Sequence, residues 1–224
     1  MNSGKAWSIA KKDLRSELRS REGATTLVFL SLLILFVFRG ILDPRLGARD
    51  PALVAGILWA TFFFVGTVGV AGTYGRERDR GTLEGLVLAP GGAFAVYLGK
   101  LAATAALTVA VNSLSLLFLG VLFNYDFGGV IVLVWLVMLA GTLGFLSIGS
   151  VIAALVRGAR SRDALITILL IPITLFSIVM PSVSATAALL GGSGTLTSNL
   201  YTMVPATVVF VALAYLLFPF VLEE

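Results

Sequence analysis

The sequence predicts an all-α membrane protein with six transmembrane helices, folded as a single transmembrane domain over residues 1–224. Hydrophobic residues make up 58% of the chain and charged residues only 12%, which is too little charge to cover a soluble fold of this length. The charged residues also gather in a few clusters, separated by uncharged stretches of about 20 residues, the length that crosses a bilayer as a helix. Composition and clustering together predict a chain surrounded by lipid.

The N-terminal segment, residues 5–21, predicts an amphipathic helix that lies on the membrane surface. Apolar residues recur along one narrow stripe at helical spacing, at Trp7, Ala10, Leu14 and Leu18. The remaining surface carries six basic residues, Lys5, Lys11, Lys12, Arg15, Arg19 and Arg21. A basic segment that only sets the orientation of the chain in the membrane is the alternative interpretation.

Six spans follow in order, at about residues 24–42, 52–74, 93–123, 129–156, 164–179 and 201–222. Lys100 lies within two turns of the start of the third span, where its side chain is expected to snorkel to the membrane surface. Glycines are spaced at helical intervals in the second and fourth spans and predict faces for close helix packing. These glycines are Gly66, Gly69, Gly72 and Gly75 in the second span, and Gly141, Gly144 and Gly149 in the fourth.

The fifth span is expected to kink at Pro172 and to end at Pro181. The segment that follows, residues 181–199, is rich in Ser, Thr, Ala and Gly, too polar to cross the bilayer and too apolar for an ordinary loop. It is therefore predicted to be a short re-entrant element on the outer side, packed over the bundle before the last span.

Orientation follows from the basic residues between the spans. Thirteen of the sixteen Lys and Arg residues lie on one side of the predicted topology, and only Arg39, Arg45 and Arg49 lie on the other. Since cytoplasmic segments carry the excess of basic residues, the N-terminus is predicted to be cytoplasmic. An even number of spans then returns the C-terminus to the same side.

Several function classes are excluded or disfavoured by what the sequence lacks. The chain has no Cys and no His, which removes disulfides, thiolate and imidazole metal sites and the commonest general base. No phosphate-binding loop of the G-x-x-x-x-G-K-[ST] type occurs, so the chain is not expected to bind ATP or to be an enzyme by itself. No ionisable residue is central in a span, as ion-coupled transport would require.

The stretch of residues 76–90 is the candidate functional site. Thr82 is suited to cap a short helix, and Glu84 would then lie in the positively polarised first turn. Leu83, Leu86 and Val87 share one face, and Arg76, Glu77 and Arg80 precede them. Such a helix is suited to dock a soluble partner, although periodicity alone equally allows a helix that lies on the membrane.

A second, smaller contact is predicted between the fourth and fifth spans, where three basic residues lie close together. The alternative is that these charges only orient the chain in the membrane. The residues are Arg157, Arg160 and Arg162.

The order of these features resembles the ABC-2 class of exporter permeases, and within it the CcmB family, the haem exporter permeases of cytochrome c maturation. The resemblance rests on E-R-D-R-G-T-L-E-x-L-x-L-x-P at residues 77–90, together with a basic amphipathic entry helix and six spans. It also includes the runs GILW at 56–59, GK at 99–100, GTLG at 141–144 and LLIP at 169–172.

The resemblance implies a homodimer of permease subunits in the cell inner membrane, bound to a cytoplasmic CcmA-like ATPase through residues 76–90. It further implies a CcmC-like haem-handling protein and a CcmD-like small protein as partners, and haem as a candidate substrate of the complex. ATP turnover would then be tied to loading and release of the haem chaperone CcmE. The chain lacks the W-W-D motif of the haem-presenting subunit, and its residues predict no cofactor bound by the chain itself.

Two other functions stay open from the sequence. One is an ABC-2 permease that exports a different substrate, such as a drug, a lipid or a polysaccharide. The other is a membrane scaffold without a transport path, which only connects an ATPase to partner proteins.

Overall fold

A computed structural model describes residues 3–20, 22–42, 50–72, 92–156, 161–191 and 195–223, and these residues form helices and short connections with no strand. The helices are α1 (Ser3–Ser20), α2 (Glu22–Ile41), α3 (Pro51–Gly72), α4 (Gly92–Phe123), α5 (Ile131–Leu155), α6 (Arg162–Thr174), α7 (Met180–Leu189) and α8 (Leu196–Glu223). A short 3₁₀ turn, Gly128–Val130, precedes α5, and a π-helical segment, Leu175–Val179, joins α6 to α7.

The prediction of an all-α membrane protein with six spans is confirmed. Six stretches of the described helices are long and apolar enough to cross a bilayer. They are Gly23–Ile41, Pro51–Gly72, Ala95–Phe123, Gly128–Leu155, Ala164–Leu189 and Leu196–Leu217.

The prediction that the fifth span ends at Pro181 is wrong, because the helix continues through this residue to Leu189. The π-helical segment interrupts the i→i−4 hydrogen-bond pattern just before Pro181. The proline therefore stands in the first turn of α7, where its missing N–H costs little. Residues 181–189 are thus the end of the fifth span and no separate re-entrant element, and residues 196–199 open α8. Residues 192–194 lie outside the described residues.

Three helices, α3, α4 and α5, form the centre of the bundle and contact one another. The first span, in α2, packs on α3 and α4, whereas the last span, in α8, packs on α5, α7 and the π-helical segment. Only 17% of the residues of each of these two outer spans are buried. The first and last spans therefore present most of their apolar surface to the surroundings of the bundle.

The glycines predicted for packing lie where neighbouring helices approach most closely. A Cβ atom at Gly141 would lie 2.5 Å from the ring tip of Trp59, and one at Gly66 would lie 2.9 Å from the ring of Phe145. Gly149 faces Val70 in the same way, at 2.7 Å. The packing role is thereby confirmed for these three glycines.

Two other glycines of the second span differ. Gly69 faces the side chain of Thr108 at 3.3 Å, whereas Gly72 has open space around it. Gly75 lies beyond the last described residue of α3.

The end of the bundle at which α2 and α4 finish is closed by polar contacts. The Arg39 guanidinium Nε donates a hydrogen bond to the carbonyl oxygen of Leu122 over 2.9 Å, which ties the end of α2 to the end of α4. The Asp50 carboxylate accepts a bond from the backbone N–H of Ala52 and so caps α3. Partial burial, and secondarily the negative charge of Asp50, raise the pKa of Tyr125 in the nearby connection.

We predict that Gly141→Ala lowers the melting temperature of the purified protein, because the new methyl group would overlap the fully buried Trp59 ring. Overpacking of this kind costs about 1–3 kcal/mol of the free energy of unfolding. Gly56→Ala is the matched control, since Gly56 also lies inside a helix but has no atom within 4 Å of its would-be Cβ. That variant gains helix propensity and is expected to be at least as stable as the unchanged chain. Equal melting temperatures for both variants would contradict the packing argument.

Candidate functional site

The predicted docking segment lies outside the described residues, and its position in the chain relates it to two described helices. The segment connects the end of α3 to the start of α4, and the predicted second contact connects the end of α5 to the start of α6. Since α3 and α5 are the second and fourth spans, they run in the same direction and finish at the same end of the bundle. We call this the basic end, defined by the exposed basic residues of α1, which packs against the start of α4 there: Lys5, Lys11, Lys12, Arg15 and Arg19.

The predicted site residues themselves fall almost entirely outside the described residues. Of them, only Arg162 belongs to a described helix, at the first position of α6, and its side chain is not described. Their grouping into a docking surface therefore stays a prediction. The residues outside the description are Arg76, Glu77, Arg80, Thr82, Leu83, Glu84, Leu86, Val87, Arg157 and Arg160.

The best-defined feature at the basic end is the contact between α1 and the first turns of α4. Gly99 of α4 lies directly under α1, so that a Cβ atom there would be 2.7 Å from Cβ of Ile9 and 2.8 Å from the carbonyl oxygen of Ala6. Neither of these atoms can move without the backbone of α1. The absence of a side chain at Gly99 therefore permits the two helices to touch.

One residue further along α4, an ion pair joins the two helices. The ammonium group of Lys100 lies 3.4 Å from the Asp13 carboxylate, and its side chain is only 2% exposed. Asp13, which is 19% exposed, also pairs with the exposed Lys12 over 3.0 Å. The expectation that Lys100 snorkels to the membrane surface is wrong, because α1 covers the lysine and supplies its counter-charge.

The same turn of α4 is also fixed on its other side. Tyr97 is fully buried, and its hydroxyl lies near Ser147 and Ser150 of α5. The start of α4 is therefore held between α1 and α5. The predicted docking segment ends directly before α4 in the chain.

The surface of α1 divides into three faces. Ile9 and Asp13 face α4 and Ala10 is buried, while Trp7 is 70% exposed and the basic side chains are exposed as well. Within the predicted apolar stripe, Ala10 is buried whereas Trp7 is exposed. Contact between α1 and the membrane surface stays a prediction.

Sequence reasoning missed the pairing of Asp13 with Lys100. The signal was present: Asp13 stands among basic residues, and Lys100 stands inside an apolar helix, so each has an unusual charge for its surroundings. Because the two residues are 87 positions apart in the sequence, no local pattern indicated that they form a pair.

Among the described charged side chains at the basic end, Asp13, Lys12 and Lys100 form ion pairs. Within the described part of the chain, no group of three Asp or Glu side chains comes together to hold a metal ion. The Asp13 carboxylate pairs with Lys12 on its own helix and with Lys100 across the contact between α1 and α4.

A comparison with protein-family models finds that the model described as CcmB protein matches residues 4–223 of the 224. The match thus includes α1, all six spans and both predicted contact segments. A comparison with curated proteins finds no match.

We predict that Asp13→Asn destabilises the purified protein by about 1.5–3 kcal/mol, because it removes the charge from the carboxylate that contacts the buried Lys100 ammonium group. Lys12→Gln is the control; it removes the exposed partner of the same carboxylate and should cost less than about 1 kcal/mol. Thermal unfolding gives both values. Trypsin should also cut the basic α1 faster in Asp13→Asn, and adding Lys100→Met should recover part of the loss. An Asp13→Asn variant as stable as Lys12→Gln would remove the ion pair from the argument.

Proposed function

This chain belongs to the CcmB family and is therefore a membrane permease subunit of the ABC transporter for cytochrome c maturation. On this basis we propose a coupling role for the chain within that transporter. It couples ATP hydrolysis on a separate CcmA-like subunit to haem delivery or to the release of the haem chaperone. The chain itself hydrolyses nothing. Haem is handled by the complex, and no haem ligand is assigned to this chain.

The clamped start of α4 is the observation that supports this proposal best. A permease driven by a soluble ATPase must transmit the conformational change of the ATPase to its membrane helices. A flexible connection between the two would not transmit it. Residues 76–90 lead directly into α4, and α4 is fixed within three turns by Gly99 and by the ion pair between Asp13 and Lys100. A docked segment, α1 and α4 would therefore move together as a rigid unit.

Within the docking segment, Glu84 and Leu86 are the proposed main contacts for the ATPase. Arg157, Arg160 and Arg162 are proposed as a second contact, since their connection lies at the same end of the bundle. The permease is proposed to work as a homodimer, with a CcmC-like and a CcmD-like protein alongside. The alternative for the three arginines, orientation of the chain alone, predicts no effect on assembly.

The basic end is proposed to face the cytoplasm, with both termini there and the chain in the cell inner membrane. The support is the excess of basic residues in the short segments at this end. The connection between α7 and α8 then faces the periplasm, where a haem chaperone would be met.

A non-transporting scaffold is the second candidate, and the packing at the centre of the bundle favours it. The rings of Trp59, Phe62 and Phe145 contact one another edge to face, with centroid distances of 4.7 and 5.4 Å. All three side chains are at most 1% exposed. The middle of one protomer is thus filled by aromatic rings, so that a path for haem would have to lie elsewhere in the complex.

We predict that Glu84→Lys abolishes stimulation of the ATPase in the reconstituted complex while the permease remains inserted. The charge reversal removes an acidic contact from the docking segment without touching a span. Asp126→Lys, at the opposite end of the bundle, should leave stimulation unchanged. Affinity purification of the unchanged chain from native membranes should bring a small ATPase and a CcmC-like protein. Normal stimulation by Glu84→Lys would refute the docking site, and purification without an ATPase would refute the function.

We also predict the orientation of the chain from labelling of single cysteines, for which the absence of native Cys gives a clean background. A membrane-impermeant maleimide should label Ser193→Cys in intact cells, because this position is proposed to face the periplasm. Ser184→Cys in α7 and Ser198→Cys in α8 show how far the labelling extends on either side of this position. Ser8→Cys in α1 should react only after the cytoplasm is opened. The reverse pattern would overturn the proposed orientation.

A further inference from the structure

Two polar atoms in the middle of α4 have no hydrogen-bond partner among the described residues, Oγ1 of Thr108 and Oδ1 of Asn112. Thr108 is 0% exposed and Asn112 is 3% exposed. Both residues lie near the midpoint of the third span, where lipid cannot supply a partner. A buried polar group without any partner destabilises the fold, so two neighbouring ones call for an explanation.

Thr108 is an exception among the buried hydroxyl groups of the central helices. Thr61, Ser115 and Thr142 each donate to the carbonyl oxygen of the residue four positions earlier on their own helix, over 2.7–2.9 Å. The same bond would be open to Thr108, whose hydroxyl does not make it. Its hydroxyl lies instead beside Gly69 of α3, at 3.3 Å from the position of a Cβ atom there.

Asn112 is held from one side only. Its amide nitrogen donates to the hydroxyl of Thr142 on α5 over 3.4 Å, while the amide oxygen remains to be satisfied. Thr108 and Asn112 are four residues apart on α4 and so share one face, with Cβ atoms about 5–6 Å apart. The three central helices, α3, α4 and α5, therefore meet around these two unpaired groups.

We propose that Thr108 and Asn112 hold one buried water molecule at the junction of α3, α4 and α5. The Thr108 hydroxyl would donate to the water, and the water would donate to Oδ1 of Asn112. Two hydrogen bonds of about 2.8 Å span the separation that the helix imposes on the two side chains. Both groups are neutral, which suits a water and offers none of the carboxylates that divalent cations usually require.

A water at this point makes the junction of the central helices adjustable. A direct side-chain contact has one geometry, whereas a water can rotate and keep both hydrogen bonds when α4 shifts slightly against α3. The junction lies on the same helix as the clamped turn at the basic end. The inference does not rest on the proposed function, because it concerns only the packing of the folded chain.

The isosteric variant Thr108→Val tests the proposal by thermal unfolding of the full-length purified protein. If a water bridges the two groups, the variant loses a hydrogen bond and its melting temperature falls by about 3 °C or more. If the hydroxyl is unpaired, the variant removes a penalty and the melting temperature stays level or rises. Thr61→Val is the matched control; it is equally buried but loses only a bond to a carbonyl of its own helix, so a smaller shift is expected.

A double-variant cycle with Asn112→Leu completes the test. One shared water predicts coupling, so that Thr108→Val lowers the melting temperature much less in the Asn112→Leu background than in the unchanged chain. Additive shifts, or a Thr108→Val variant that is no less stable than the unchanged chain, would overturn the proposal. If Asn112→Leu does not fold, Asn112→Ala is used in the same cycle.

Discussion

A bilayer offers no hydrogen-bond partners, so every polar group in the spans must be satisfied by the chain itself. This constraint explains where the polar side chains of this protein lie. The indole N–H groups of Trp59 and Trp135 donate to hydroxyl groups on other helices, Thr186 at 2.8 Å and Ser113 at 2.9 Å. A polar residue in a span is thus satisfied by a neighbouring helix, as here, or by a carbonyl of its own helix, as at Thr61 and Ser115. A polar residue with neither partner needs a further explanation.

Lipid is as apolar as the side chains it surrounds, so the spans associate through close packing. The glycines at Gly66, Gly141 and Gly149 admit large side chains from the neighbouring helix. This part of the fold could be predicted from the sequence, because the length of the apolar stretches and the spacing of small residues are local properties. The end of the fifth span could not be predicted in this way. The π-helical segment before Pro181 changes the backbone hydrogen-bond pattern, so that the helix continues through the proline.

The candidate site was less predictable than the fold, for a physical reason. A lysine near the end of an apolar helix is compatible with snorkelling and with burial under another helix, and only the position of α1 decides between them. Lys100 and Asp13 are 87 residues apart, and no local pattern connects them. The predicted docking residues, Glu84 among them, rest on the resemblance and on the amphipathic pattern of residues 76–90.

The ion pair and the glycine have different roles in the contact between α1 and α4. Gly99 permits close approach, but an apolar contact with Ile9 tolerates small rotations and shifts of one helix on the other. A buried charge tolerates them less, because a displacement that separates Lys100 from Asp13 weakens a charged contact inside the protein. The pair is therefore weak evidence for added stability and better evidence for a fixed register. If a force on a docked segment is to move α4 as a whole, α1 and α4 must keep a fixed register.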